Sequence, residues 1–415
     1  MRIPLFAVIL SALFLSPAVA DYWQQWRGPR GDGTAPPGDY PTTWSDTENV
    51  LWKIPMPAMG GSTPVVWDNQ IIVTVPKGNR NAVMAFDMDG QLMWETLLGL
   101  EKPGKHRKAS GSNPSPVTDG QHLFVYFKSG EFACLDLEGH VVWKQNLQDK
   151  YGEDTLWWDL GTSPVLTEQH VVIACIQSGP SYLAAFDKAT GDEVWKATRE
   201  FDAPEEANQS YSTPNVIKHN GQEQLIVLGA DHVNAYDART GEEIWRIGGL
   251  NPDGEKFFRS IASSVVVGDM VIAPYARGTT LTAIRLGGEG DVTQSRIAWS
   301  KSGVSADVPT PAALNNQVII CTDKGEVVCV NVASGEPAWS VQTPKNRDAF
   351  SASPIVVGDR IYVIREDAKS FVIDATKQEV IGEGQLEGLA VASPVFVQNR
   401  ILIRTSDYLY CIGKK

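Results

Sequence analysis

A Ser/Thr-Pro pair followed by an apolar run recurs along this chain, and its period limits what the chain can build. The pair stands at Thr63-Pro64, Ser115-Pro116, Ser163-Pro164, Thr213-Pro214, Thr310-Pro311, Ser353-Pro354 and Ser393-Pro394, and Ser263-Ser264 fills the one gap. The spacings run from 40 to 52 residues. A second landmark follows each pair: a small-apolar-Asp step, a turn with Gly, then a Trp. It is clearest at Ala85-Phe86-Asp87 to Trp94, Leu135-Asp136 to Trp143, Ala185-Phe186-Asp187 to Trp195 and Ala235-Tyr236-Asp237 to Trp245. It persists at Val330-Asn331 to Trp339, loosens at Ala283-Ile284-Arg285 to Trp299, and in the seventh copy has Ile373-Asp374 with Ile381 in place of Trp. Self-similarity at this period marks four-stranded blades arranged radially. The expected fold is all-β: an eight-bladed β-propeller of four-stranded antiparallel blades.

Each landmark has a physical reason. Pro cannot donate to a ladder, so it suits the innermost strand, whose edge faces the channel. Asp accepts backbone N–H groups two residues on, and Gly permits positive φ, so together they close a tight turn. The Trp opens the outermost strand and is expected to fill the gap to the next blade. After Ser393-Pro394 only three strands fit before Lys415. Asn49-Val50-Leu51-Trp52-Lys53 has the outer-strand pattern and is expected to complete the last blade, closing the ring and removing an open edge. The alternative is seven complete blades and a frayed end.

The first twenty residues stand apart. Arg2, an apolar stretch from Leu5 to Leu15, and Ala18-Val19-Ala20 read as a secretory leader with an expected cut before Asp21, an N-terminal membrane anchor being the alternative. Residues 21–48 then read as an N-terminal extension and 49–415 as the propeller. An exported protein is expected, periplasmic or secreted, with no integral membrane span and as a monomer. The net charge of −13 argues against nucleic acid as a partner. Of the five cysteines, Cys134, Cys329 and Cys411 share one strand position, while Cys175 and Cys321 lie in another strand. All read as buried hydrophobes rather than disulfides. For Cys321 and Cys329 the reason is a two-residue turn that would place them on opposite sheet faces.

Short turns such as Asp119-Gly120 and Thr240-Gly241 fall on one face, and the long connections on the other, around the channel mouth. The first long loop carries Lys102, Lys105, His106, Arg107 and Lys108, a positive spot suited to a carboxylate or phosphate, or simply a solvated loop. The next holds Trp157-Trp158-Asp159, able to stack on a planar ligand or sugar, or to pack on the neighbouring blade. Glu206 and Tyr211 follow, and Arg259, Arg277, Asp307 and Arg347 share the face. Convergence of these residues on a small polar or anionic ligand, or on a protein partner, is the working expectation. No zinc spacing and no Ser/His/Asp set can be assigned, so neither catalytic residues nor metal ligands are named.

Blocks such as Ala184 to Trp195, Asn234 to Trp245 and Cys329 to Trp339 resemble the pyrroloquinoline-quinone (PQQ) repeat. The opening Trp23-Gln24-Gln25-Trp26-Arg27-Gly28-Pro29 resembles the start of secreted PQQ-like propellers of planctomycete-type bacteria. The resemblance covers residues 50 to 412. It implies the fold strongly and an activity weakly. One branch, the quinoprotein dehydrogenases, binds PQQ and Ca²⁺ and oxidises alcohols or sugars. Many of its members carry an adjacent Cys pair, which is missing here, and no ligand residue can be matched. The other branch is similar to the outer-membrane assembly lipoprotein BamB, which binds protein partners and no cofactor; the lipid-carrying Cys is missing here. A non-catalytic binding scaffold is therefore expected, with a PQQ- and Ca²⁺-dependent or sugar-oxidising enzyme as the alternative.

Overall fold

In the computed structural model, which describes residues 22–414, the repeats form eight separate sheets. The leader expected at residues 1–20 lies outside the described residues. Within the first blade, Val65–Trp67, Gln70–Lys77, Arg80–Asp87 and Leu92–Leu100 pair antiparallel in chain order, from the channel outward. Six more blades repeat this plan. The eighth takes Val395–Val397, Arg400–Arg404 and Tyr408–Ile412 from the C-terminus and Val50–Pro55 from the N-terminus. Trp52 pairs with Cys411, as Trp143 does with Cys134 and Trp339 with Cys329. The ring therefore closes as the sequence predicts. The insertion in the fifth blade adds Gly290–Asp291 as a fifth, parallel strand on the outer edge of the fourth.

The Ser/Thr-Pro pairs do more than tolerate an edge. Each backbone N–H at the Ser/Thr position donates to the equivalent hydroxyl of the next blade. Thr63 donates to Ser115, Ser115 to Ser163, Ser163 to Thr213 and Thr213 to Ser263, at 2.8–3.0 Å. Ser263 donates to Thr310, Thr310 to Ser353, Ser353 to Ser393 and Ser393 back to Thr63, at 2.8–3.2 Å. This is a closed girdle of hydrogen bonds around the channel. It gives the inward N–H of every blade a partner, which a buried amide requires.

The outer Trp residues lock neighbouring blades. The Nε1 of Trp52, Trp94, Trp143 and Trp299 donates to the carbonyls of Met88, Leu137, Lys188 and Val332, at 2.8–2.9 Å. Each acceptor directly follows the turn Asp or Asn of the next blade. The ring then lies against that turn's glycine: a Cβ at Gly139 or Gly241 would sit 2.5 or 2.4 Å from Trp94 or Trp195. Positive φ and this close approach both demand glycine there. Trp245 is fully buried and the other ring-locking Trp residues are half-buried, so the wedge is less deep than a core position.

Two expectations need correction. All five cysteines are buried free thiols. However, Cys321 pairs with Val327 and Ile319 with Cys329, so Cys321 and Cys329 lie on the same sheet face, one diagonal apart. The longer turn, closed by Thr322 and Glu326, shifts the parity. In the seventh blade, the register Val372↔Gly382 assigns the Trp position to Gly382, not Ile381. A Cβ there would meet the Thr42 carbonyl at 2.1 Å, and one at Gly384 would meet the Trp44 ring at 2.1 Å. The N-terminal extension lies across this strand, and alternate glycines let it approach.

Candidate functional site

The same extension shapes the channel. Trp23 exchanges two 2.8 Å backbone bonds with Val66, and Thr118 donates to Gln24. Further on, Ala313 donates to Asp32, Val356 to Gly33, and Ala35 to Val356. Val66 and Val356 each sit one residue before their innermost strand ends. Residues 22–35 thus cross the channel on the short-turn side, bonding to blades 1, 2, 6 and 7. Arg27 fastens them. Its Nη2 donates to the carbonyls of Pro311 and Pro354 at 3.0 and 3.1 Å. Burial lowers its pKa to about 10, with Asp32 opposing. Gly33, at φ 79°, leaves room for that guanidinium.

Above this plug, on the long-loop side, a cavity of about 430 Å³ opens at the channel mouth. Trp26 floors it, and a second cavity of about 470 Å³ lies on the other side of the same residue. The wall carries seven of the eight girdle residues, with His106, Lys108, Trp158, Asp159, Tyr211 and Arg259 higher up.

Five of the ten residues singled out from sequence therefore meet in one cavity: His106, Trp158, Asp159, Tyr211 and Arg259. His106 meets Trp158 edge-on, 5.9 Å between ring centroids. The Trp158 indole N–H donates to Glu206 at 2.7 Å, and its backbone N–H to the Tyr211 hydroxyl at 3.1 Å. That hydroxyl donates to Gln209, and burial raises the phenol above its usual range. Asp159 is a structural clamp. Its carboxylate accepts the backbone N–H groups of Lys105 and His106 and pairs with buried Lys128. Arg259 is 10% exposed; its Nε lies 3.3 Å from Glu206 and its Nη2 3.1 Å from Asp307. Its Nη1 is buried with no hydrogen-bond partner among the described residues.

The remaining five stand differently. Asp307 touches the site only through Arg259, and burial raises its pKa while Arg259 opposes. Arg107 and Arg277 are exposed on the rim. Arg347 is 94% exposed and Trp157 46% exposed, both outside the cavity lining.

The expected positive spot is spent in part, while Arg107 stays exposed. Lys102 faces Glu153, Lys105 Nζ donates to the Leu156 carbonyl, and Lys108 pairs with buried Glu366 at 2.7 Å. Around the cavity, Lys108, Lys128 and Arg259 are each paired with carboxylates of Glu366, Asp159, Glu206 and Asp307, while Arg107 and Arg277 stand exposed on the rim. Sequence reasoning missed Trp26 and the girdle. Trp26 follows from no repeat, because it lies in the extension. The girdle hydroxyls were visible as Ser or Thr at every copy, but only the Pro had been given a role.

Fold and cavity together define a PQQ-like repeat propeller whose channel is crossed by its N-terminal extension. A family model described as "Outer membrane protein assembly factor BamB" matches residues 42–204, 139–381 and 323–412, and the chain belongs to this family. No curated protein sequence matches it. Among solved structures, BamB from Moraxella catarrhalis is similar at 17% identity, over 88% of this chain and 99% of that one, with a TM-score of 0.63. A europium-containing methanol dehydrogenase is similar at 10% identity, over 94% and 90%, with a TM-score of 0.67. The quinohemoprotein alcohol dehydrogenase from Comamonas testosteroni is similar at 12%, over 95% and 81%, with a TM-score of 0.65. At these identities the likeness shows the fold. No helix of the described residues is long and apolar enough to cross a membrane.

Proposed function

We propose that this is an exported, monomeric, non-catalytic propeller, periplasmic or secreted, that binds a ligand or protein partner through its long-loop face. The carrying observation is the cavity above Trp26, whose wall brings girdle hydroxyls together with His106, Trp158, Tyr211 and Arg259, the last with one buried guanidinium nitrogen that has no partner among the described residues. Pockets of this size, mostly apolar with a few placed polar groups, are where small ligands bind. Exposed Arg107, Trp157, Arg277 and Arg347 form a rim that a larger partner would meet first.

The alternative reading, a PQQ- and Ca²⁺-dependent oxidoreductase, suits the donor set poorly. Calcium needs six to eight oxygen ligands, several of them carboxylates. Every mouth carboxylate is already spent on a cation or on N–H groups. Among the described residues no group of three or more His, Cys, Asp or Glu is placed to share a metal. A polycarboxylate quinone would also find no unpaired cation in the cavity except one edge of Arg259.

Two measurements test the proposal. Titration of the purified chain with PQQ and Ca²⁺, then dye-linked alcohol oxidation, should give neither saturable binding nor turnover; both together would establish the enzyme instead. A photo-crosslinking residue at position 107, introduced in the exporting host, should give adducts that the same residue at short-turn position 121 does not. Equal labelling at both positions would remove the assignment of the face.

A further inference from the structure

We propose that the cavity above Trp26 takes a neutral saccharide. A sugar ring would lie with its C–H face on the Trp26 indole and its oxygens on the free edge of Arg259 and the girdle hydroxyls. This rests on reading the long-loop face as a binding face and adds the chemical class of the ligand.

Three features point the same way. The first is the platform. Trp26 is half-buried, held in the channel by its neighbours Arg27 and Gln24, and it floors the cavity. An indole offers a broad apolar face with little side-chain freedom to lose on binding, which suits a flat ligand with polar edges.

The second is the supply of donors. The Nη1 of Arg259, nine-tenths buried at its side chain, has no acceptor. Such a group is unfavourable until an oxygen reaches it. Lower down, each girdle hydroxyl accepts one backbone N–H, and none donates its own proton to a described residue. Seven of these residues line the cavity. A hydroxyl can donate one bond and accept two, so each can still meet a ligand hydroxyl in either sense.

The third is charge. Arg259 already faces Glu206 and Asp307, and the neighbouring Lys108 is held by Glu366. A carboxylate or phosphate placed on Nη1 would gain one cation edge but lie close to two carboxylates. Like charges in a partly desolvated site repel strongly. The cavity is therefore rich in donors, while the cations on its wall are already compensated by carboxylates. That combination selects a neutral, oxygen-rich ligand over an anion, and it replaces the anionic ligand that the basic loop suggested.

The test is calorimetric titration of the full mature chain with cellobiose, lactose and chitobiose, against digalacturonate as the charged control. At least one neutral disaccharide should bind saturably, and digalacturonate should bind more weakly. Trp26→Leu should weaken binding about tenfold or more without changing the unfolding midpoint. Arg259→Lys, which keeps a cation between Glu206 and Asp307 but removes the free edge, should also weaken it. Tighter binding of digalacturonate would overturn the neutral class while leaving the binding face intact. So would neutral binding that Trp26→Leu leaves unchanged. Failure of all three neutral sugars would overturn the saccharide. Crosslinked adducts at position 107 would then still uphold the binding face, and their absence as well would end both readings.

Discussion

At the residue scale, the girdle hydroxyls explain why the repeat insists on Ser or Thr. Thr213 Oγ1 accepts the Ser163 N–H at 3.0 Å, and its own N–H reaches Ser263 at 2.8 Å. Thr213→Val preserves shape but removes the acceptor, leaving a buried amide unpaired. We expect a loss of about 1–3 kcal/mol, measured by denaturant unfolding, with Thr213→Ser close to neutral. Equal loss in both variants would show that packing, not the hydrogen bond, holds the position. Of the candidate residues, Trp158, Tyr211 and Arg259 could be found because long loops on a rigid scaffold stand out in a repeat. Their partners could not. Glu206 and Asp307 reach Arg259 from different loops, and only the closed ring brings those loops together.

At the element scale, the sequence made the strands and turns readable because each blade repeats the same chemistry. The Asp187 carboxylate accepts the N–H groups of Ala189 and Thr190, each at 2.9 Å, and these bonds, Thr190 first, lower its pKa below the usual 3.8. An acid depressed in the folded state contributes stability above its unfolded pKa and loses it as pH falls through the folded one. Asn331 already makes the same two bonds in the sixth blade without a titrating group. Asp187→Asn should therefore fold normally. The stability advantage of the natural chain over this variant should shrink between pH 5 and pH 2, read from unfolding midpoints. Parallel pH profiles would contradict the turn assignment. The N-terminal extension was the element least readable, because it belongs to no repeat. Its best signal was the pair Gly382 and Gly384, alternate glycines in a strand that has no other reason to lose its side chains. In the structure Thr42 and Trp44 occupy that space.

At the scale of the whole molecule, one strand and one segment make a symmetric ring asymmetric. Val50–Pro55 completes the eighth blade. Residues 22–35, ahead of it, then cross the short-turn side of the channel and divide it into one cavity on each side of Trp26. The eightfold repeat forecast the ring and its long-loop face, but not which side the extension crosses, since that segment belongs to no repeat. Charge follows the same division between sequence and structure. In the loop carrying Lys102 to Lys108, Glu153 and Glu366 arrive from elsewhere in the ring to pair Lys102 and Lys108, and the Leu156 carbonyl holds Lys105, which the loop's own sequence does not show.

Binding at the mouth above Trp26 can be tested by fluorine NMR of the chain labelled with 5-fluorotryptophan, with resonances assigned by single Trp→Phe variants, during titration with the neutral disaccharides. Saturable shifts are expected at Trp26 and Trp158, while Trp67, on the short-turn side, stays fixed. Shifts at Trp67 with Trp26 unmoved would contradict binding there.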